Sequence, residues 1–287
     1  MLVFSSGAPI AIAVVAAGWA TAWYFVPAPR EVFIQFWHFF FLGIGGAIAA
    51  NATGAGGGIV FIPAFTSLGI QPEQALGTSI AIQCFGMTAG ALSWIHSLKR
   101  SPHSARSLHL LKRTVALSGS GAIIGMLSGQ YLLPLPAFSV TEIFRYFSIF
   151  FGATLLLATL RKRSSRHTRY YIRRRHMPVI FVVSLLGGLV TSWISIGAGE
   201  WLALIMFFLG YPTMIGVAAA VCISSLIVLA GVGYHLAAGT IVWQVLLFAA
   251  PAAIIGGTVA RFLAQRLGPT RLKVFFATWI LATGLAM

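Results

Sequence analysis

Residues 51–63, with the sequence NATGAGGGIVFIP, interrupt an apolar run at a place where a membrane-crossing helix would otherwise continue. The run before them, FWHFFFLGIGGAIAA over residues 36–50, has the composition of a membrane span. Residues 51–63 contain four glycines and one proline. Glycine in a helix interior costs conformational entropy, and proline removes a backbone donor, so both disfavour an unbroken helix. The stretch therefore predicts a helix that ends and restarts inside the membrane.

The composition of the whole chain excludes an ordinary soluble protein. Of its 287 residues, 59% are hydrophobic and only 8% are charged, whereas soluble domains carry roughly 25% charged residues. Apolar runs of about 18 residues or more, separated by short polar loops, indicate helices that cross a membrane several times. They are too long for the roughly 10-residue alternating strands of a membrane barrel. We predict an all-α polytopic membrane protein with about eight to nine membrane segments.

The charge of the chain fits a membrane protein better than a nucleic-acid-binding one. The formal net charge is +15, but the arginines and lysines fall almost entirely in loops between apolar runs. That distribution sets the orientation of membrane proteins, since cytoplasmic loops are rich in Lys and Arg. We therefore expect no nucleic-acid partner, and we place the basic segments 97–113, 161–177 and 261–273 on the cytoplasmic side of the inner membrane. The segment 134–142 and the turn at Gly239-Thr240 are predicted to be external.

Two halves of the chain share a pattern. Gly54-Ala55-Gly56 matches Gly197-Ala198-Gly199, 143 residues later, and GAIIG at 121–125 matches AAIIG at 252–256. Further matches keep the same order along the chain. The predicted organisation is an extra N-terminal span, a first membrane repeat, a basic linker and a second membrane repeat, at residues 1–32, 33–160, 161–177 and 178–287.

Equivalent loops of the two repeats differ in charge in a way that predicts their topology. The segment 97–113 is strongly basic, and its counterpart at Gly239-Thr240 is neutral. The next pair is reversed, because 134–142 has no basic residue and its counterpart at 261–271 is basic. Equivalent loops are therefore predicted on opposite sides of the membrane. This is the inverted-topology repeat found in many secondary transporters.

Transporters of this kind bind their substrate near the middle of the membrane, at helices broken in corresponding positions of the two halves. Here these positions are 51–58 and 195–201, the second with the sequence SIGAGEW. A helix that restarts there presents unpaired N–H groups and the positive end of its dipole, which suit an anion. The alternative is that glycines serve close helix packing, which we favour for Gly43, Gly45 and Gly46.

Polar side chains near the breaks add hydrogen-bonding groups. Thr78 and Ser79 follow the first break, with Gln83 one helical turn further on the same face, and serines occupy the matching part of the second repeat. The alternative for hydroxyl groups is a bond back to the preceding helical turn, and for tryptophans it is packing. The predicted substrate-binding residues are Asn51, Thr53, Gly54, Gly56, Gly57, Gly58, Thr78, Ser79, Gln83, Gly197, Gly199, Trp201, Ser224 and Ser225.

Among the four acidic residues of the chain, Glu200 is the one that falls in a break between long apolar runs. An ionised side chain at the centre of a membrane costs roughly 2.5–3.5 kcal/mol or more, so Glu200 is a candidate for proton coupling. The alternative is that its carboxylate caps the restarted helix. The sequence contains no P-loop, no metal-binding motif and no catalytic constellation. We therefore predict neither an enzyme nor a metal or cofactor.

These motifs resemble those of a known family. The segment 43–79, GIGGAIAANATGAGGGIVFIPAFTSLGIQPEQALGTS, is similar to the first-repeat signature of the sulfite exporter TauE/SafE family of membrane permeases, and GAGEWLALIMFFLGYP at 197–212 is similar to the second. The resemblance implies transport of a sulfur-containing anion such as sulfite, thiosulfate or a sulfonate, without ATP hydrolysis. It also implies a site at 51–58, Thr78, Ser79 and 197–200. The second signature departs from the family pattern at Glu200 and Trp201.

The predicted function is a secondary transporter that moves a small sulfur-containing anion by alternating access. Its expected partners are that anion, coupled protons and the lipid bilayer, and a homo-oligomer is compatible with the sequence. Two other functions stay open at this point. One is an anion channel, and the other is an accessory or structural membrane subunit that binds a partner protein.

Overall fold

The computed structural model describes residues 17–101, 104–133, 140–161 and 169–286, and every regular element in these ranges is helical. Helix α1 is described over residues 17–24. The first half continues with α2 (Pro29–Phe36), α3 (Phe39–Thr53), α4 (Gly58–Ser67), α5 (Pro72–Lys99), α6 (Ser104–Tyr131) and α7 (Val140–Arg161). After a 3-10 turn at Arg174–His176, the second half contains α8 (Met177–Ile194), α9 (Ala198–Phe208), α10 (Thr213–Ala237), α11 (Trp243–Leu267) and α12 (Pro269–Ala286).

The lengths and compositions of these helices confirm the prediction of an all-α polytopic membrane protein. Within the described residues, five helices are long and apolar enough to cross a membrane, namely α5, α6, α8 with its preceding turn, α10 and α11. The pair α2 and α3, bent by 49°, passes the same test as one span, which raises the number to six. The helices α4 and α9 are apolar but shorter. The count of eight to nine segments stays a prediction.

The helices stop and restart at both glycine-rich stretches. Helix α3 is followed at its end by Gly54, whose φ of 84° is left-handed, and α4 begins at Gly58. Helix α8 is followed at its end by Ser195, with a φ of 62°, and α9 begins after Gly197, with a φ of 143°. Glycine adopts positive φ without steric cost, so the chain reverses at these points with little strain at Gly54 and Gly197.

Each broken pair folds back on itself as a hairpin. Phe39 at the start of α3 lies beside Phe65 near the end of α4, with ring centroids 5.9 Å apart. His176 at the start of α8 forms a 2.7 Å hydrogen bond with Tyr211, just after α9. The tip of the first hairpin is residues 54–57, and that of the second is residues 195–197.

The two hairpins point toward each other from opposite ends of the molecule. The first is connected to the start of α5 and the second to the start of α10. Glu73 in the first turn of α5 and Ala238 just after α10 line the same cavity, so α5 and α10 run antiparallel. At the other end, Arg261 and Gln265 of α11 donate hydrogen bonds to hydroxyl oxygens in the last part of α5. The basic segments 97–113 and 261–273 therefore lie on one face.

Packing between the halves is crosswise, because α3 packs along α11 and α6 packs along α8. Glycines allow this close approach. A Cβ at Gly43 would meet the backbone of Ala249, and one at Gly46 would lie 2.7 Å from the ring of Phe61, which agrees with the packing interpretation. Gly45 differs, since a Cβ there would have no heavy atom of the described residues within 4 Å. A packing role for Gly45 stays a prediction.

Candidate functional site

The tips of the two hairpins touch about halfway along α5 and α10. A Cβ at Gly58 would lie 2.5 Å from the carbonyl oxygen of Ser195. A Cβ at Gly199 would meet the carbonyl oxygen of Gly54 and lie 2.5 Å from Ser224 Oγ. These glycines are needed because any side chain would force the two backbones apart.

Glu200 joins the two tips through its carboxylate. The Gly56 N–H donates to Glu200 Oε1 at 2.6 Å, and the Gly197 N–H donates to Oε2 at 2.8 Å. The side chain is 1% exposed. Glu200 thus caps its own helix, as the alternative interpretation proposed, and it also reaches a backbone donor in the other half of the chain. Charge-assisted hydrogen bonds of this kind are short and strong, and both helix starts carry the positive end of a dipole.

Gln83 on α5 is the second link between the tips. Its Oε1 accepts a hydrogen bond from the Gly57 N–H at 2.7 Å, while its Nε2 donates to Ser195 Oγ at 2.7 Å and to Ser79 Oγ at 3.2 Å. The hydroxyl oxygens of Ser79 and Ser195 lie 2.9 Å apart. One amide and two hydroxyl groups therefore form a buried polar cluster beside the Glu200 carboxylate.

The space between the tips is closed. It is lined by residues of both tips and of α5, α8 and α10, and these described residues leave no volume for a water-sized sphere. Gly56, Gln83, Gly199, Glu200 and Ser224 are among the lining residues. The polar atoms at the tips are hydrogen-bonded to one another, so no ligand fits between the tips in this arrangement unless they separate.

Other predicted site residues lie around this space rather than in it. Thr78 Oγ1 accepts a 2.9 Å hydrogen bond from the Val242 N–H at the start of α11. Asn51 Nδ2 donates to Gly86 O of α5 at 3.2 Å, and Thr53 Oγ1 donates to its own helix at 2.7 Å. Their roles in binding stay predictions.

Two predicted residues of the second half also contact neighbours away from the tips. Trp201 stacks on Phe147 of α7, with ring centroids 6.0 Å apart. Ser225 Oγ lies 2.8 Å from Thr88 Oγ1 of α5. The structure therefore brings the predicted glycines of the two breaks together with Ser79, Gln83, Glu200 and Ser224. It leaves Trp201 and Ser225 at helix interfaces.

Sequence reasoning missed two polar residues at the second tip. Ser195 contacts both Ser79 and Gln83, and Thr191 Oγ1 accepts a 3.1 Å hydrogen bond from the Ala198 N–H. A signal for Ser195 was present, because it is the polar residue that opens the quoted stretch SIGAGEW. Thr191 lies one turn earlier in an apolar helix, where a hydroxyl group more often bonds back to its own helix than to a neighbouring one.

Comparison with known proteins shows the family of the chain. Residues 39–287 match the model of the family described as sulfite exporter TauE/SafE. The chain belongs to the TauE/SafE family. The resemblance noted in the two signatures is thereby confirmed, and membership implies a membrane permease for sulfur-containing anions rather than an enzyme family. Neither the comparison with curated proteins nor that with solved structures gave a match.

The extent of the match agrees with the architecture of this TauE/SafE chain. It begins at Phe39, the first residue of α3, and it runs through both hairpins to the last residue. Helices α1 and α2 precede it. The meeting point of the tips, with Glu200 and Gln83, therefore lies within the TauE/SafE region.

Proposed function

We propose that this protein is a secondary transporter for a small sulfur-containing anion, such as sulfite, thiosulfate or an organosulfonate, in the inner membrane. The observation that carries the proposal is the Glu200 carboxylate held by N–H groups of both tips, at 2.6 and 2.8 Å. A carboxylate in this position is an anion bound between two helix starts. The same donors suit the oxygens of a sulfur oxyanion once Glu200 moves away.

The polar cluster beside Glu200 supports the choice of an oxyanion. The hydroxyl groups of Ser79 and Ser195 and the amide of Gln83 lie within hydrogen-bond distance of one another. They have donors that can turn toward a ligand, and none of them carries a charge. Backbone N–H groups and neutral side chains attract an anion without the cost of a buried cation.

An inverted repeat and alternating access are further parts of the proposal. The equivalent helices α5 and α10 run antiparallel, and the two hairpins approach from opposite ends. With the basic segments 97–113, 161–177 and 261–273 at the cytoplasm, the first hairpin faces outward and the second faces inward. Residues 102–103 and 162–168 of these segments, and 134–139 of the external one, lie outside the described residues. Movement of one hairpin at a time opens the site to one side.

Proton coupling through Glu200 follows from competition for the same donors. An ionised Glu200 occupies the Gly56 and Gly197 N–H groups and repels a second anion at this place. Protonation removes the negative charge and weakens its hold on both donors. The substrate anion and a proton therefore arrive together, which avoids two like charges in a low-dielectric site.

The test is uptake of 35S-labelled anions by proteoliposomes that contain the purified protein. The uptake rate of sulfite, thiosulfate and an alkanesulfonate is expected to saturate with concentration, and each anion is expected to accumulate when a pH gradient is imposed. Glu200→Gln is expected to keep exchange of labelled anion while losing accumulation, because glutamine cannot carry a proton. Glu31→Gln, an exposed acid ahead of the family match, is the control and keeps both.

The outcomes separate the alternatives. Uptake by Glu200→Gln that still follows the pH gradient contradicts proton coupling at this residue. Conductance that does not saturate indicates a channel. Absence of binding and flux for every sulfur anion, with co-purification of another protein, indicates an accessory subunit.

A further inference from the structure

A row of polar side chains joins α5 and α11 near the ends that carry the basic segments. Arg261 Nε donates a hydrogen bond to Ser93 Oγ at 3.1 Å, and Arg261 Nη1 donates to Gln265 Oε1 at 3.4 Å. Gln265 Nε2 in turn donates to Ser97 Oγ at 3.0 Å. These bonds hold the guanidinium group in the groove between the two helices. Arginine has five N–H donors, so donors of Arg261 remain for a further ligand.

The positive charges at this groove have no acidic partner nearby in the chain. Arg100, the exposed residue that follows α5, is close enough to Arg261 for the two like charges to repel each other. Residues 74–141 and 201–287, which include nearly all of α5 and the whole of α6, α10, α11 and α12, contain no acidic residue. Like charges repel more strongly where the dielectric constant is low, as at the border of a membrane. The two arginines therefore indicate a negatively charged ligand from outside the chain.

Exposed apolar side chains continue from the arginines toward the middle of the membrane. Leu92 of α5 is 64% exposed, and Ile255 and Val259 of α11 are 49% and 46% exposed. Ile255 lies six residues before Arg261, which is about 9 Å along a helix. Both helices are long and apolar enough to cross a membrane, so exposed apolar side chains at this depth contact hydrocarbon. A ligand that fits both parts of this surface has an anionic head and a hydrocarbon tail.

We propose that the groove between the ends of α5 and α11 binds an anionic phospholipid of the cytoplasmic leaflet, such as phosphatidylglycerol. The lipid phosphate lies between Arg261 and Arg100, and an acyl chain runs along Leu92 and Val259. The planar N–H fork of arginine matches the oxygens of a phosphate, and basic pockets between membrane helices on the cytoplasmic side bind anionic headgroups. A zwitterionic lipid is disfavoured, because it brings a cation next to two guanidinium groups.

The lipid site has a structural consequence, because it joins the two halves of the chain. Helix α5 belongs to the first half and carries Gln83 of the closed space, whereas α11 belongs to the second half. A lipid bound to both helices stabilises the contact between them. Since a ligand of the folded protein raises its stability, binding is measurable as a rise in the thermal unfolding midpoint.

The experiment compares two lipids that differ only in the headgroup. Dioctanoyl phosphatidylglycerol and dioctanoyl phosphatidylcholine are titrated into the purified full chain in detergent, and the thermal unfolding midpoint is recorded. Inorganic phosphate is titrated in parallel as a free anion. We expect phosphatidylglycerol to bind at least about fivefold more tightly than phosphatidylcholine, the factor for one basic residue acting on an anionic lipid. Phosphate is expected to give no shift at the concentration at which phosphatidylglycerol saturates.

Three variants locate the site. Arg261→Gln and Arg100→Gln each remove one charge and are expected to lower the affinity for phosphatidylglycerol at least about fivefold. Arg100 is exposed, so its variant keeps the test valid if Arg261→Gln, which loses the bond to Ser93, impairs folding. Arg266→Gln removes an exposed arginine of the same helix. It is the matched control and is expected to keep the wild-type affinity.

The outcomes separate a specific lipid site from a general attraction of the basic face. Equal affinity for the two lipids overturns the site. An equal loss in Arg266→Gln and in the other two variants overturns it as well, because any surface charge would then act alike. A shift with inorganic phosphate as large as that with phosphatidylglycerol overturns the assignment to a lipid and makes the groove a site for free anions.

Discussion

Substitution of Gly199 by alanine tests whether contact between the two hairpin tips is needed for transport. The added Cβ would meet the carbonyl oxygen of Gly54 and lie 2.5 Å from Ser224 Oγ. Gly199 lies within α9 and its φ is not among the positive ones, so its backbone accepts alanine. The contact with a backbone oxygen cannot be relieved by rotation of a side chain. The tips must therefore separate.

The size of the effect follows from the cost of overpacking. One methyl group forced into a tightly packed contact costs about 1–3 kcal/mol. Since 1.4 kcal/mol corresponds to a factor of ten, the closed arrangement of Gly199→Ala loses about 5- to 150-fold in population relative to open forms. In the proposed alternating-access cycle, which passes through this closed arrangement, the transport rate is expected to fall by a comparable factor.

The assay is the initial rate of 35S-labelled anion uptake, measured together with the thermal unfolding midpoint in detergent. Gly199→Ala is expected to lower the uptake rate at least about fivefold and to lower the midpoint. Gly45→Ala and Gly233→Ala are matched controls, because both glycines are helical and a Cβ there would have no heavy atom of the described residues within 4 Å. Each control is expected to keep the uptake rate and to gain up to about 1 kcal/mol in stability.

A wild-type rate and midpoint for Gly199→Ala would refute the reasoning, because they would mean that the tips are not packed against each other in the working protein. An equal loss in all three variants would also refute it. In that case the effect would come from alanine in a membrane helix rather than from the contact with Gly54.

Two further predictions address the hydroxyl group of Thr78 and the topology. Thr78→Val removes the acceptor for the Val242 N–H and is expected to cost about 1 kcal/mol of stability. An increase in KM for the anion would additionally support the predicted binding role, whereas an unchanged KM limits Thr78 to holding the start of α11. Single cysteines are introduced as Ala238→Cys or Gln265→Cys in a chain without its native cysteines. The cysteine at position 238 should react with an impermeant thiol reagent added outside, whereas the one at position 265 should react only from the cytoplasmic side. Labelling of both from the same side would contradict the inverted topology.

Much of the fold was predictable from local sequence. Long apolar runs in a chain with 8% charged residues must form helices, because lipid offers no partner for an unpaired backbone group. The breaks at Gly54 and Gly197 were predictable for a related reason, since glycine tolerates the positive φ found at both. The hairpin form of the broken pairs was not predictable, because a break alone does not state in which direction the chain resumes.

The site was predictable in its location but not in its connections. Glu200 was a candidate from its place in an apolar region, yet its bond to the Gly56 N–H joins residues 144 positions apart. No short-range pattern specifies such contacts, because they depend on how helices distant in sequence pack.

The difference between Gly57 and Glu200, which are matching positions of the two tips, shows this division. The sequence by itself determined that each tip is a glycine break in a membrane helix and that one tip carries an acid. The tertiary structure decided why only one of the two tips carries an acid. A Cβ at Gly57 would lie 2.9 Å from Gln83 Cγ. The first tip therefore takes its acceptors from elsewhere, namely Gln83 of α5 and Glu200, whereas the second tip supplies its own acceptor through Glu200. Each helix start leaves N–H groups without a partner in the helix, and which residues accept from them depends on the neighbours that folding brings there.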